Sequence, residues 1–280
     1  MNHVLSTHLF VNSRLTSALL GKIQQTGIPA VEIFCARQHL DYRDKAQIKE
    51  LGHWFRDSEL KLHSLHSPMY SDEIWGRSGP HAVVSITETV KGARLQAVDE
   101  IKRALEISET IPFQYLIQHM GGPNEEFDMR KVDAAFSALE EIHLFARGRG
   151  VEVLLENIPN ELSSAERLLQ FNELTHVGLN FAFDTGHAHM ATGVEAEFEL
   201  MKERIRSTHV HDNNGVDDIH LVPLAENAED RGTIDWKRTM ELLRSRQDQY
   251  PLLLELKDRG NPHLLDSAIQ AFDRLESLSS

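Results

Sequence analysis

Residues 151–158 read VEVLLENI, a short aliphatic run that breaks at Glu156. With glycines just before it and Pro159 just after it, the run has the composition of a strand buried on both faces. An unpaired carboxylate is costly to bury in such a strand, and a cation would remove that cost. The same kind of run recurs as HVLSTHLF from His3, AVEIFC from Ala30, LKLHSLH from Leu60, QYLIQHM from Gln114, VGLNFAFD from Val177, STHVHD from Ser207 and PLLLELK from Pro251, making eight in all.

Segments of helical periodicity separate these runs: Thr16 to Gln25, Asp44 to Asp57, Thr87 to Ser108, Met129 to Arg147, Ser164 to Glu173 and Trp236 to Arg244. In the fourth, Val132, Phe136, Leu139, Ile142 and Leu144 or Phe145 keep one face nearly apolar. Strands alternating with helices imply parallel pairing through right-handed crossovers. Eight such units in 280 residues predict a (β/α)8 TIM barrel forming a single domain over residues 1–280. An open eight-stranded sheet gives no reason for ionisable residues to recur at one end of the runs. His8, His66, His119, Glu156, Asp184, His209 and Glu255 all sit at or near such ends, which a barrel gathers onto one face.

The composition, 41% hydrophobic and 26% charged, is that of an ordinary globular chain with a sizeable core. A formal net charge of −14 argues against a nucleic-acid or anionic-membrane partner, since both reward clustered positive charge. Cys35 is the only cysteine, so a disulfide framework is excluded and a reducing compartment is expected. At the end of an apolar run, Cys35 reads as a small buried hydrophobe rather than a nucleophile. The opening residues MNHVLSTHLF lack the pattern of a signal peptide, and no apolar run is long enough to span a bilayer. The expectation is a cytoplasmic protein without a membrane partner, and the sequence leaves a homo-oligomer open.

In FDTGHAHM, Thr185 and Gly186 allow a tight turn that returns His187 towards Asp184. In HVHD, His209 and His211 lie two apart and share a face if extended, so spacing does not choose between them. Mixed carboxylate and imidazole donors suit Zn2+, Mn2+, Fe2+ or Co2+ better than Ca2+ or Mg2+. His189 is expected to pack beside the site rather than bind an ion.

At these residues the chain resembles the xylose isomerase-like TIM-barrel superfamily, which includes sugar and sugar-phosphate isomerases and epimerases and endonuclease IV. The resemblance runs from STHLF to LLLELK. Similarity to the epimerases implies one divalent ion on Glu156, Asp184, His209 and Glu255, with the two glutamates exchanging substrate protons and His187 touching a substrate oxygen. Similarity to endonuclease IV implies a cluster of up to three ions that adds His66, His119, His187, Asp218 and His220, and it selects His209 over His211. His8, Tyr70, Trp75, His211, Lys257 and Arg259 are then candidates for substrate binding, with His211 and Asp212 behind the ligands or facing substrate, and Asn213, Asn214 and Gly215 making a turn. The chain departs from endonuclease IV in LVPLAENAEDRGTIDW, whose Glu226, Glu229 and Asp230 would repel a DNA backbone. It also lacks the arginine that tagatose 3-epimerase-type enzymes carry after the seventh-strand histidine.

Two chemistries follow from such a site. The first is isomerisation or epimerisation of a small sugar or sugar phosphate through a metal-stabilised enediolate, with Glu156 and Glu255 as acid and base. The second is phosphoester hydrolysis by a metal-bound hydroxide in a multinuclear cluster. A barrel that binds metal or sugar without turnover is a third reading, disfavoured by glutamates at both acid/base positions.

Overall fold

The computed structural model describes residues 1–227 and 230–278; Glu229, one of the acids expected at the mouth, lies outside them. Every one of the eight runs becomes a parallel strand: β1 His3–Ser6, β2 Ala30–Phe34, β3 Lys61–His66, β4 Tyr115–His119, β5 Glu152–Glu156, β6 Asn180–Asp184, β7 Ile205–His209 and β8 Leu252–Leu254. They form one sheet in the order β7-β6-β5-β4-β3-β2-β1-β8. A bridge between Val210 and Leu254 joins the ends, with the Val210 N–H donating to Leu253 O at 2.8 Å. The chain is a single (β/α)8 barrel.

The helices are α1 Ser17–Gln25, α2 Lys45–Asp57, α3 Lys91–Leu105, α4 Met129–Arg147, α5 Ala165–Leu174, α6 Thr185–Met190, α7 Val194–Met201, α8 Trp236–Arg244 and α9 Leu264–Ser277. Thr16, Asp44, Asp128, Ser164 and Asp235 cap α1, α2, α4, α5 and α8 by accepting from backbone N–H groups of the first turn. Helix α3 starts at Lys91 rather than Thr87, because the Thr87 hydroxyl is engaged with Ser85 and donates to Glu125 in the loop after β4. The turn expected at Thr185 and Gly186 is the start of α6, with Asp184 as its cap accepting from the His187 N–H at 2.6 Å.

Two register shifts in the sheet decide what the barrel mouth contains. Between β2 and β3, Val31 pairs with Leu62 but Glu32 with Ser64, so β3 carries one extra residue, His63. Between β6 and β7, Phe181 pairs with Ile205 but Ala182 with Ser207, which brings Asp184 level with His209. A small buried cluster of Tyr115, Ile117, Leu154 and Ala182 occupies the barrel interior. The larger core lies between sheet and helices, and it holds Cys35, whose thiol is buried and pushed up in pKa by that burial.

His39 locks the first two βα connections together. Its Nδ1–H donates to Ser13 O at 2.6 Å, and its Nε2 accepts from the Thr7 hydroxyl, which itself accepts from the Phe34 N–H. Burial without a carboxylate partner lowers the His39 pKa to about 4. The unfolded chain therefore binds this proton first as pH falls. The stability that neutral His39 contributes is complete above its ordinary pKa of about 6.5 and is lost as pH falls towards 4, by up to about 3 kcal/mol. Denaturant unfolding of His39→Gln should accordingly fall less steeply than that of the parent chain between those pH values; parallel curves would refute this role.

Candidate metal centre

Among the described residues, the C-terminal ends of the strands and the segments that follow them bring His, Asp and Glu side chains into three groups, in each of which ligand-type atoms lie within 4.8 Å of one another. One joins Glu156, Asp184, His209 and Glu255; a second joins His66, His119 and Glu156; a third joins His187, His211, Asp218 and His220. Glu156 belongs to two of them. Its Oε1 lies 3.0 Å from His209 Nδ1, and its Oε2 faces His119 Nε2 at 2.9 Å and His66 Nε2 at 3.6 Å. His209 Nδ1 also lies 3.2 Å from Glu255 and 3.9 Å from Asp184.

Burial sets the electrostatics. Glu156, Asp184 and Glu255 are all buried, and their negative charges converge on one imidazole. Burial opposes charging His209, but Glu255, Glu156 and Glu32 outweigh it and hold its pKa well above the ordinary range. Burial likewise opposes ionising Glu156, and the attraction of His209 and His119 overcomes it, leaving its pKa well below the ordinary range. His119, in contrast, is lowered, burial outweighing the attraction of Glu156. His220 is raised to about 9, burial being outweighed by Asp218 at 3.1 Å. The donor chemistry and the unbalanced buried carboxylates suit divalent cations of the Zn2+, Mn2+, Fe2+ or Co2+ class.

Backbone carbonyls fix the tautomers of three of these rings. His66 Nδ1–H donates to Ser67 O, His187 Nδ1–H to Asn157 O and His220 Nδ1–H to Glu255 O, at 3.0, 2.9 and 3.1 Å. Each ring thus turns Nε2 towards the cluster: His66 towards His119, and His187 and His220 towards Asp218.

A cavity of about 360 Å3 opens over these groups, lined by Glu156, Glu255 and His220 together with His8, Phe34 and Trp75. His8 Nδ1 and Trp75 Nε1 are buried there without a hydrogen-bond partner. Burial, helped by the positive side chains nearby, keeps the His8 pKa well below the ordinary value. The exposed Lys257 and Pro123, Asn124 and Pro159 also line it.

Other expected residues lie elsewhere. Tyr70 lines a neighbouring groove, and Arg259 lines a second cavity of about 410 Å3 that meets the first at His220 and Lys257. In that second cavity Glu226 and Asp230 pair with Arg274 and Arg259 rather than standing free. His211 is fully buried, donates to Asp184 at 3.1 Å and stacks on His220 at 3.8 Å between ring centroids. A Cβ on Gly186 would meet that ring at 2.1 Å, which is why the turn into α6 needs glycine there. Asp212 points away from the cavity and accepts from Trp236 Nε1 at 2.7 Å, while Asn213 is buried and its amide donates to Gly186 O. His189 contacts Thr233.

Sequence reading passed over Glu32. It is fully buried in β2 and faces His209 across the barrel. The signal was present, since a carboxylate interrupts AVEIFC just as one interrupts VLLENI and LLLELK. Its place in the middle of the strand, rather than at the end, kept it out of the series.

Residues 20–278 match the family model described as xylose isomerase-like TIM barrel, and the chain belongs to that family. An uncharacterized protein of Methanocaldococcus jannaschii is 30% identical over 234 residues, covering 79% of this chain and 74% of its own. Among solved structures, a D-tagatose 3-epimerase-like protein superposes with a TM-score of 0.76 at 25% identity, covering 99% of this chain and 97% of its own. The zinc-bound IOLI protein gives 0.74 at 15% identity over 99% and 96% of the two chains, a likeness of fold.

Because Glu156 belongs to two donor groups and His220 to one, their removal should differ in a countable way. In Mn2+ titrations of chelator-treated protein, Glu156→Ala is expected to weaken two binding events and His220→Ala one. Equal losses in the two variants would contradict the grouping.

Proposed function

We propose that this xylose isomerase-like barrel is a divalent-metal-dependent isomerase or epimerase of a small sugar or sugar phosphate. The observation that carries the reading is that Glu156 and Glu255 converge on the same buried donor group and both line one cavity of about 360 Å3, a size suited to a small polar metabolite. The likeness to a D-tagatose 3-epimerase-like protein supports the same class.

Glu156, Asp184, His209 and Glu255 would hold the ion. When bound, a divalent cation supplies Lewis acidity towards paired carbonyl and hydroxyl oxygens and favours the enediolate. The chain itself provides proton transfer. One glutamate takes the proton from carbon, and the same or the opposite glutamate returns it, giving isomerisation or inversion. Glu156 has a histidine at each oxygen, whereas the contacts of Glu255 with its neighbours run through Oε2, so Glu255 is the less constrained of the pair. His187 would contact a substrate oxygen. His8 and Trp75 also line the cavity and suit the body of a sugar, and the exposed Lys257 suits a terminal phosphate.

A second reading rests on a specific observation: the groups around His66 with His119 and around His187 with Asp218 exceed what a single-ion epimerase requires. They suit a multinuclear centre for phosphoester hydrolysis. The net charge of −14 disfavours nucleic acid as that substrate.

Metal-loaded protein should exchange deuterium from solvent into at least one member of a panel of ketoses and ketose phosphates. Glu255→Gln should lower that exchange by roughly 100-fold or more, as expected for loss of a general acid/base. No exchange with any member would remove the isomerase reading, and cleavage of phosphoesters, tested with abasic-site DNA included, by protein carrying two or three ions would establish the second.

A further inference from the structure

Glu32 is a carboxylate at the centre of the barrel, below the donor groups. Ser6 Oγ–H donates to its Oε1 at 3.1 Å and Ser64 Oγ–H to its Oε2 at 2.7 Å. Its single ionic partner among the described residues is His209, whose Nε2 lies 3.1 Å from Oε1 and 3.2 Å from Oε2. No lysine or arginine among the described residues is paired with it.

An ionised carboxylate only accepts hydrogen bonds, and both serine hydroxyls here are donors. The remaining contact must therefore be His209 Nε2–H donating to Glu32. That assignment leaves Nδ1 as the nitrogen facing Glu156, Glu255 and Asp184. His209 thus differs from His66, His187 and His220, which are oriented through Nδ1–H by backbone carbonyls and present Nε2. A carbonyl is neutral, whereas Glu32 sets a full negative charge behind the ring. Such a charge makes the opposite nitrogen a stronger donor as well as a better-aimed one.

We propose that Glu32 is a positioning residue that holds His209 with Nε2–H turned to itself, so that a divalent cation in the Glu156–Asp184–His209–Glu255 group is taken through Nδ1. This inference rests on the reading of that group as a metal site. The register shift between Val31 and Glu32 is part of the device, because it places Ser64 rather than His63 opposite the carboxylate. The long path through Ser6, Ser64 and His209 ties β1, β2, β3 and β7 to the occupancy of one site.

The test uses the full chain and Mn2+ alone, with free ion measured by electron paramagnetic resonance. Glu32→Gln keeps the size but removes the charge and turns one acceptor oxygen into an amide donor, and should weaken the tightest Mn2+ site by roughly 10- to 100-fold while metal-free thermal unfolding changes little. Unchanged affinity overturns the proposal. Nitrogen-15 histidine spectra of the zinc-loaded parent chain should show His209 metallated at Nδ1 and protonated at Nε2; the reverse pattern also overturns it. If Glu32→Gln does not fold, Ser64→Ala loosens the carboxylate without removing it and should give a smaller loss of Mn2+ affinity, with no loss counting against the proposal. A parent chain that binds no Mn2+ would refute the metal site itself, whereas equal binding by parent and variant refutes only the role of Glu32.

Discussion

Four buried carboxylates, Glu32, Glu156, Asp184 and Glu255, lie within 4 Å of the single imidazole of His209, and most of the surrounding architecture answers to that concentration of charge. Without compensation, burying even one such group is prohibitive. The barrel spreads the cost over several elements. Hydroxyls of Ser6 and Ser64 serve Glu32, imidazoles of His119 and His209 serve Glu156, and the His187 N–H and the His211 ring serve Asp184. The price is a polar interior where many barrels pack aliphatic layers, and the small apolar cluster around Ile117 and Leu154 is what remains of such packing.

The same constraint explains the loops. The segment after β7 folds back so that Asp218 reaches His187 and His220, and the buried Asp212 and Asn213 pin it to α8 and α6. Gly232, where a Cβ would meet Asp212 at 2.1 Å, is required by that closeness. Loop geometry and donor geometry are therefore one arrangement, since disturbing the pins would move the third donor group. The cavity above inherits a polar floor from the clusters and a partly aromatic wall from Phe34 and Trp75. The cavity thus combines a charged floor with an aromatic lining.

Much of this was legible in the residues. The eight runs and the ionisable groups at their ends carry the barrel and its functional face, because strand burial and strand direction are local consequences of composition. Helix starts were legible where a capping residue precedes an apolar stripe, as at Asp44 and Asp128. Helix α3 was overextended because Thr87 spends its hydroxyl on Glu125, a partner 38 residues away that periodicity does not reveal. Glu32 was missed for a related reason: its meaning depends on His209, 177 residues later in the chain.

What the sequence determined by itself was the kind of fold and the inventory of donors, since both follow from short-range patterns of polarity. What tertiary structure alone decided was which donors meet. The spacing of His209 and His211 leaves either one free to join Asp184, and in the fold both reach it, His211 at 3.1 Å and His209 at 3.9 Å; the extra residue in β7 brings His209 level with Asp184, where it also meets Glu156 and Glu255, while His211 lies past the strand end on the ring of His220. A bulge shifts every later side chain by one position, and nothing in the local sequence of β7 announces it, because it is fixed by pairing with a neighbouring strand.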